Sequence, residues 1–281
     1  MLGREVHIKV WIHYISGDTE GNCKWLGHYP GSVRGIARPY HDCQCSFNEM
    51  IRINPKCIYT TLDEMREAYS LLQTNRKEGL LYFKSISRHP IVNAFLQPRL
   101  PMSDQIHGVF RMTPPELLHT SGAGLILYMF RVIADKVGGG MIRNDLDAQH
   151  VRMMKAIRRQ SERDFPRGAT RNGIVDGTKC QASEHRGNLF SLACIAYTAN
   201  GLVLKEGMEW SNDEWKSFRF FIRQYLALEE WFHAENDKEE VRQARRKIGR
   251  VLKLLQDLFP RGDGTLGYNI PKMHGMIRMC H

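Results

Sequence analysis

The opening of the chain alternates between β-branched apolar residues and other residues over positions 6–15. An alternation with a period of two predicts a β-strand with one buried face. Gly17 ends the pattern, and Asp18 follows it directly. A carboxylate at the end of a strand is held in place by the sheet, so Asp18 is a candidate metal ligand. The alternative is an ordinary turn residue, because Asp is common in turns.

Several later segments, and most of residues 145–260, have apolar residues that recur every three or four positions, which is typical of helices. Residues 61–74 form one such segment, with Thr60 or Thr61 as the candidate N-cap. A second long helix is predicted from Pro115 to Gly138, because proline suits a first helical turn. Further helices are predicted from Asp145 onwards, over about 182–199, from the capping pair Ser211 and Glu214 onwards, and over about 237–258.

The chain of 281 residues carries a formal net charge of +10. This excess of cations favours polyanionic partners, chiefly nucleic acid or an acidic membrane surface. No apolar run approaches the roughly 20 residues of a spanning helix, so we expect no membrane-spanning segment. The alternative for the cations is a solvated helix face, since Glu239 and Glu240 lie close to one group of them. The candidate contacts to a DNA backbone are Arg158, Arg159, Arg163, Arg245, Arg246 and Lys247.

The chain holds seven cysteines, which are unevenly spaced. An odd number favours a reducing compartment and a metal-binding or buried-thiol role over disulfides. Thiolate and imidazole are the ligands that zinc prefers in structural sites. The alternative is a set of buried or surface thiols, because Cys-x-Cys is a less usual zinc spacing than Cys-x-x-Cys. The candidate zinc ligands are Cys43, Cys45 and Cys57, together with His41 or His89.

A carboxylate motif follows this segment, in which Glu116, His119 and Gly124 stand in the pattern acid-x-x-His-x-x-x-x-Gly. With Asp18 before it and the Cys/His segment between, this order resembles DDE transposases of the CACTA and Plavaka type. Those families usually carry Asp where this chain has Glu116. Asp104 begins a second acid-x-x-His motif and competes for the same role.

The resemblance implies an α/β fold, an RNase H-like core with a mixed sheet. Residues 1–138 would be the N-terminal part of the core, with a Cys/His-containing insertion at about 36–95. Residues 139–260 would be a large, mainly helical insertion, and residues 261–281 a segment that returns to the core. The third acid of the family lies beyond that return, so we expect a C-terminally truncated fragment of a longer protein.

The resemblance also implies a nuclear enzyme that cleaves and joins DNA. Such enzymes use two Mg²⁺ (or Mn²⁺) ions about 4 Å apart, held by carboxylates. Asp18 would bridge the ions, and Glu116 or Asp104 would hold one of them, with a homo-oligomer as the working form. The alternative for Glu116 is an acid favoured by the helix dipole in a first turn. The alternative function is a non-catalytic, transposon-derived DNA-binding or zinc-stabilised scaffold, and a weaker one is an unrelated zinc-knuckle or RNA adaptor protein.

Overall fold

The structure is a computed structural model of the chain. It describes residues 15, 17–29, 36–50, 58–93, 104–113, 115–158, 173–174, 180–198, 201–234, 238–260 and 271–279. The regular elements in these ranges are helices, and the β-structure is limited to isolated antiparallel bridges at His28–Arg88 and Cys43–Tyr59.

The predicted α/β fold with an RNase H-like mixed sheet is therefore wrong for the described part of the chain, which contains no strand. A sheet needs neighbouring extended segments, whereas the described sequence mostly repeats its apolar residues at helical spacing. The alternating segment 6–15 lies outside the described residues except for Ile15. The N–H of Ile15 donates to the carbonyl of Met112 at 2.7 Å.

The described helices follow the order of the chain. They are α1 (Thr19–Trp25), a 3₁₀ turn (Phe47–Glu49), α2 (Leu62–Thr74), α3 (Arg76–Ser85), α4 (Val109–Met112), a π-helix (Leu118–Ile126), α5 (Leu127–Val137), α6 (Gly140–Arg158), α7 (Ala182–Ala196), α8 (Asn212–His233), α9 (Lys238–Leu258) and α10 (Pro271–Arg278). They belong to two compact units. Unit 1 contains Met1–Glu116 and Asn269–Pro271, and unit 2 contains Leu117–Tyr268 and Lys272–His281.

The α2–α3 hairpin provides much of the core of unit 1. The Thr61 hydroxyl accepts from the N–H of Glu64 and begins α2, and the Asn75 side chain begins α3 in the same way. Gly79 of α3 lies against Leu72, where a Cβ would approach the Leu72 Cα to 2.3 Å. Only glycine lets the two helices come this close. The buried core residues include Leu26, Met65, Phe83, Val109 and Phe110.

Long helices form unit 2. The π-helix packs against α5 and α7, α7 also packs against α6 and α8, and α8 packs against α9. An aromatic cluster holds Trp210, Phe218 and Phe259, with ring centroids 4.7 Å apart for Trp210 and Phe218 and 6.1 Å apart for Phe218 and Phe259. Aromatic rings packed at these distances stabilise a core by more than the burial of their apolar area alone would.

Several predicted helices are confirmed. Thr61 is the N-cap of the helix predicted over 61–74, and the capping box of Ser211 with Glu214 begins α8. The predicted helix from Pro115 to Gly138 is divided into the π-helix and α5. Asp145 is not a cap, because α6 begins at Gly140 and Asp145 lies within it.

Candidate metal-binding loop and cationic helix

The Cys43–Cys45 loop of unit 1 is held by backbone hydrogen bonds to residues 58–60. The N–H of Gln44 donates to the carbonyl of Ile58 at 2.9 Å, and the N–H of Thr60 donates to the carbonyl of Asp42 at 3.0 Å. Each buried backbone group satisfied in this way fixes the path of the loop. The backbone is therefore held on both sides of Cys43.

Both thiols are buried, and their Sγ atoms lie within 4.8 Å of each other. They belong to a group of buried cysteine and histidine side chains that could hold a metal ion. Thiolates select soft or borderline ions, among which Zn²⁺ is a common structural choice. The described part of the chain thus contains a Cys/His arrangement suited to zinc.

The structure brings together only part of the predicted zinc set. Cys43 and Cys45 are in the group, but His41 and His89 are not. The His41 ring is buried and stacks on Tyr40, whereas His89 is exposed. Cys57 lies outside the described residues.

A buried arginine ties this loop to the rest of unit 1. The Arg88 guanidinium donates to the carbonyl of Leu26 at 2.8 Å and to the carbonyl of His41, and it lies 4.5 Å from the centroid of the Phe110 ring. Burial lowers the pKa of Arg88 to about 10, so the side chain stays protonated near neutral pH. Sequence analysis did not single out Arg88, because nothing local distinguishes it from a surface cation.

Cys23 and His28 form a second thiol–imidazole pair in unit 1, with 3.7 Å between Sγ and Nδ1. Burial raises the pKa of the Cys23 thiol to about 11. Burial, together with the nearby Arg88 charge, lowers the pKa of His28 well below its ordinary value. A nucleophilic cysteine needs a lowered pKa and some exposure, so this pair is an inert part of the core.

The predicted catalytic carboxylates hold local structure. Asp18 is the N-cap of α1 and accepts from the N–H of Gly21 at 2.5 Å. Asp104 accepts from the N–H groups of Ile106 and His107 at 3.0 and 2.9 Å, and these bonds hold its pKa below the ordinary value against the effect of its burial.

Glu116 is half-buried just before the π-helix. With Asp18 and Asp104 it makes no group of three ligands within 4.8 Å, in the ranges that the structure describes. The role of these three carboxylates as metal ligands stays a prediction.

Helix α9 of unit 2 exposes a row of cations. Arg242 pairs with Glu239 at 3.2 Å, and Lys253 pairs with Asp257 at 2.7 Å. The other exposed cations of the row, Arg246, Lys247 and Arg250, form no ion pair with a described residue. The predicted Arg245 is half-buried on the same helix, Arg158 ends α6, and Arg159 and Arg163 lie outside the described residues.

A polar network crosses the core of unit 2. The Ser121 hydroxyl, on the π-helix, lies 2.8 Å from the Tyr225 hydroxyl and donates to the carboxyl group of Glu229. Burial raises the pKa of Glu229, although the Ser121 bond and the charge of Arg186 act in the opposite direction. π-Helices often occur at functional sites. Here the segment aims a hydroxyl at a buried acid, which no sequence motif indicated.

A search against protein-family models, curated proteins and solved structures gives no match. Among the described helices, none combines the length and apolar character that crossing a membrane requires.

Proposed function

We propose that the chain is a non-catalytic nucleic-acid-binding protein in which α9 contacts the phosphate backbone of DNA. The observation that carries this proposal is the exposed row of Arg246, Lys247 and Arg250, which has no carboxylate partner among the described residues. Unpaired cations attract phosphates without reading the base sequence. The net charge of +10 supports the same conclusion.

The positions on α9 suit a linear polyanion. Arg242, Arg246 and Arg250 follow one another at intervals of four residues, so they lie along one face of the helix. The opposite face contains buried residues such as Ile248 and Leu255. A helix that is apolar on one side and cationic on the other can pack into unit 2 and still present charge to DNA.

Catalysis of the DDE type requires carboxylates held around two metal ions. The sheet that would hold these carboxylates is missing from the described part of the chain. The non-catalytic alternative needs no such sheet. A transposon origin, a nuclear location and assembly into a homo-oligomer follow from the resemblance alone and stay predictions.

The test is binding of the full chain to a fluorescently labelled DNA duplex at increasing salt. We expect log K to fall with log salt, and the slope to become less steep by about 0.9 for each phosphate contact removed. Replacing Arg246, Lys247 and Arg250 by Gln would then reduce the slope by about 2.7 and weaken binding.

The matched control replaces three exposed cations of α3, Arg76, Lys77 and Lys84, by Gln. The two variants have the same net charge, so a general charge effect would weaken both equally. Equal binding by the α9 variant and the control variant would overturn the proposal. Circular dichroism of both variants shows whether their helices are intact.

We also propose that Cys43 and Cys45 bind a structural zinc ion. The observation in favour is the proximity of their buried Sγ atoms in a loop fixed on both sides. A buried site with thiolate ligands is typical of structural zinc, which contributes directly to folding. The ion would stabilise unit 1 and take no part in a reaction.

Metal analysis of the chain, purified without added zinc, tests this proposal. We expect stoichiometric zinc in the parent protein and its loss in Cys43→Ser and Cys45→Ser, whereas Cys194→Ser, a control in unit 2, retains it. Parent protein without zinc would contradict the proposal.

A further inference from the structure

The outer face of α8 carries cations and aromatic rings side by side. Arg219, Phe220 and Arg223 follow at helical spacing, and Tyr197, just after α7, lies beside Arg219. Tyr197 is 56% exposed, whereas Trp210 in the neighbouring core is 6% exposed. The α9 row and the metal-binding loop do not use this surface.

Hydrogen bonds fix its central members. The Tyr197 hydroxyl donates to the carbonyl of Arg219 at 3.1 Å, and the Arg219 Nε–H donates to the carbonyl of Ala196 at 2.8 Å. The tyrosine ring is thus exposed and yet held by its hydroxyl. A ring ordered before binding loses little conformational entropy when a ligand stacks on it.

Guanidinium groups accompany the rings. The Arg219 Cζ lies 5.8 Å from the centroid of Tyr197 and 5.9 Å from that of Trp215, and the Arg223 Cζ lies 5.7 Å from that of Phe220. Neither arginine forms an ion pair with a described residue. The surface therefore offers both a flat apolar face and positive charge that carboxylates do not neutralise.

We propose that this surface binds the unstacked bases of single-stranded nucleic acid. The inference rests on the proposed function and adds the form of nucleic acid that the protein selects. Proteins that hold single strands combine aromatic rings, on which bases stack, with cations that follow the backbone. A duplex hides the faces of its bases, so Tyr197 contributes to single-strand binding and not to duplex binding.

The test compares labelled oligothymidine with a duplex of the same length, using the full chain. We expect Tyr197→Ala to weaken binding to oligothymidine about 5- to 150-fold, the range expected for loss of one stacked base, and to leave duplex binding unchanged. Tyr197→Phe keeps the ring but loses the hydroxyl that orders it, so it should bind oligothymidine more tightly than Tyr197→Ala and more weakly than the parent. Arg223→Gln should weaken oligothymidine binding without touching the packing of Tyr197.

An abasic strand with the same phosphates separates stacking from charge. We expect the parent to bind it more weakly than oligothymidine, and Tyr197→Ala to bind both strands equally. Equal binding of both strands by the parent would overturn the inference. Displacement of labelled oligothymidine by poly-glutamate as efficiently as by unlabelled oligothymidine would also overturn it. If Tyr197→Ala binds like the parent but the α9 variant loses duplex binding, the inference fails and the proposed function stands. A parent protein that binds no nucleic acid would refute the proposed function.

Discussion

Unit 1 and unit 2 are stabilised in different ways. In unit 1 the Arg88 side chain reaches the carbonyls of Leu26 and His41, which lie 62 and 47 positions away in the sequence. In unit 2 the core is an aromatic cluster that includes Phe218 and Phe259. Unit 1 adds a few specific polar bonds between loops to its α2–α3 core, whereas unit 2 depends on packing between long helices.

The difference between the two units lies in how their buried backbone groups find hydrogen-bond partners. Short helices and irregular segments leave many backbone groups unpaired, and a buried guanidinium with several N–H donors can satisfy more than one of them. Long helices satisfy their own backbone groups, so their contacts can be apolar. Unit 1 therefore uses the buried Arg88 side chain to satisfy backbone carbonyls, whereas buried polar side chains in the described core of unit 2 pair with one another, as Ser121 does with Glu229 and His150 with Ser191.

The largest expected effect is in unit 2. Phe218→Ala removes a fully buried ring from the aromatic cluster, and we expect the free energy of unfolding to fall by about 3–5 kcal/mol. Hydrogen exchange resolved by peptide should show the loss in α8 and α9. Phe220→Ala, at a half-buried position on the same helix, is the control and should have a clearly smaller effect. Faster exchange confined to α2 and α3 would contradict the comparison.

An effect of similar size is expected from Arg88→Leu in unit 1. The variant leaves the carbonyls of Leu26 and His41 without their donor, and each unsatisfied buried group costs about 1–3 kcal/mol. Urea unfolding followed by hydrogen exchange should show the loss in peptides of α1 and of the Cys43 loop. Arg76→Leu, at an exposed position, serves as the control. Unchanged stability would show that unit 1 does not depend on its buried cation.

The two units should respond to pH in opposite directions. Burial raises the pKa of Glu229, so the folded state of unit 2 favours the neutral acid. The resulting stability is present below the ordinary pKa of Glu and is lost as the pH rises through the raised value in the folded protein. In Glu229→Gln, the free energy of unfolding of unit 2, measured in urea, should fall less steeply as the pH rises. If its fall with pH is as steep as in the parent, Glu229 is not the source of the pH dependence.

In unit 1, burial lowers the pKa of His28, so the folded state favours the neutral imidazole. The resulting contribution to the stability of unit 1 is present above the ordinary pKa of histidine and is lost as the pH falls through the lowered pKa of the folded protein. Hydrogen exchange of peptides around α1 should accelerate on acidification, and His28→Asn should reduce that acceleration. Acceleration of the same size in both proteins would contradict the assignment.

Elements with strong local determinants could be predicted from the sequence. The Thr61 cap and the box of Ser211 with Glu214 act within one helical turn, so sequence alone reveals them. The amphipathic spacing of α9 was equally visible. Asp145 misled the prediction, because an acid that is well suited to a cap is also tolerated inside a helix such as α6.

Features that depend on distant residues could not be predicted. The donors of Arg88 meet carbonyls that are remote in the sequence, which no local pattern indicates. The sheet was inferred from a resemblance and one alternating segment, neither of which fixes strand pairing. The Cys43–Cys45 pair was found because both residues lie in one short loop.

The π-helix determines which way the side chains before it face relative to the side chains of α5, which follows it in unit 2. At Gly124, within the π-helix, a Cβ would lie 2.8 Å from the Lys272 side chain. The Lys272 side chain therefore packs directly against the backbone of this turn. A π-helix bonds residue i to residue i+5 and so holds more residues per turn than an α-helix. This wide turn sets how the Ser121 hydroxyl, which meets Glu229, lies relative to the buried Phe130 and Ile133 of α5. The hydrogen-bonding pattern of this short segment therefore couples the polar network of unit 2 to its apolar packing.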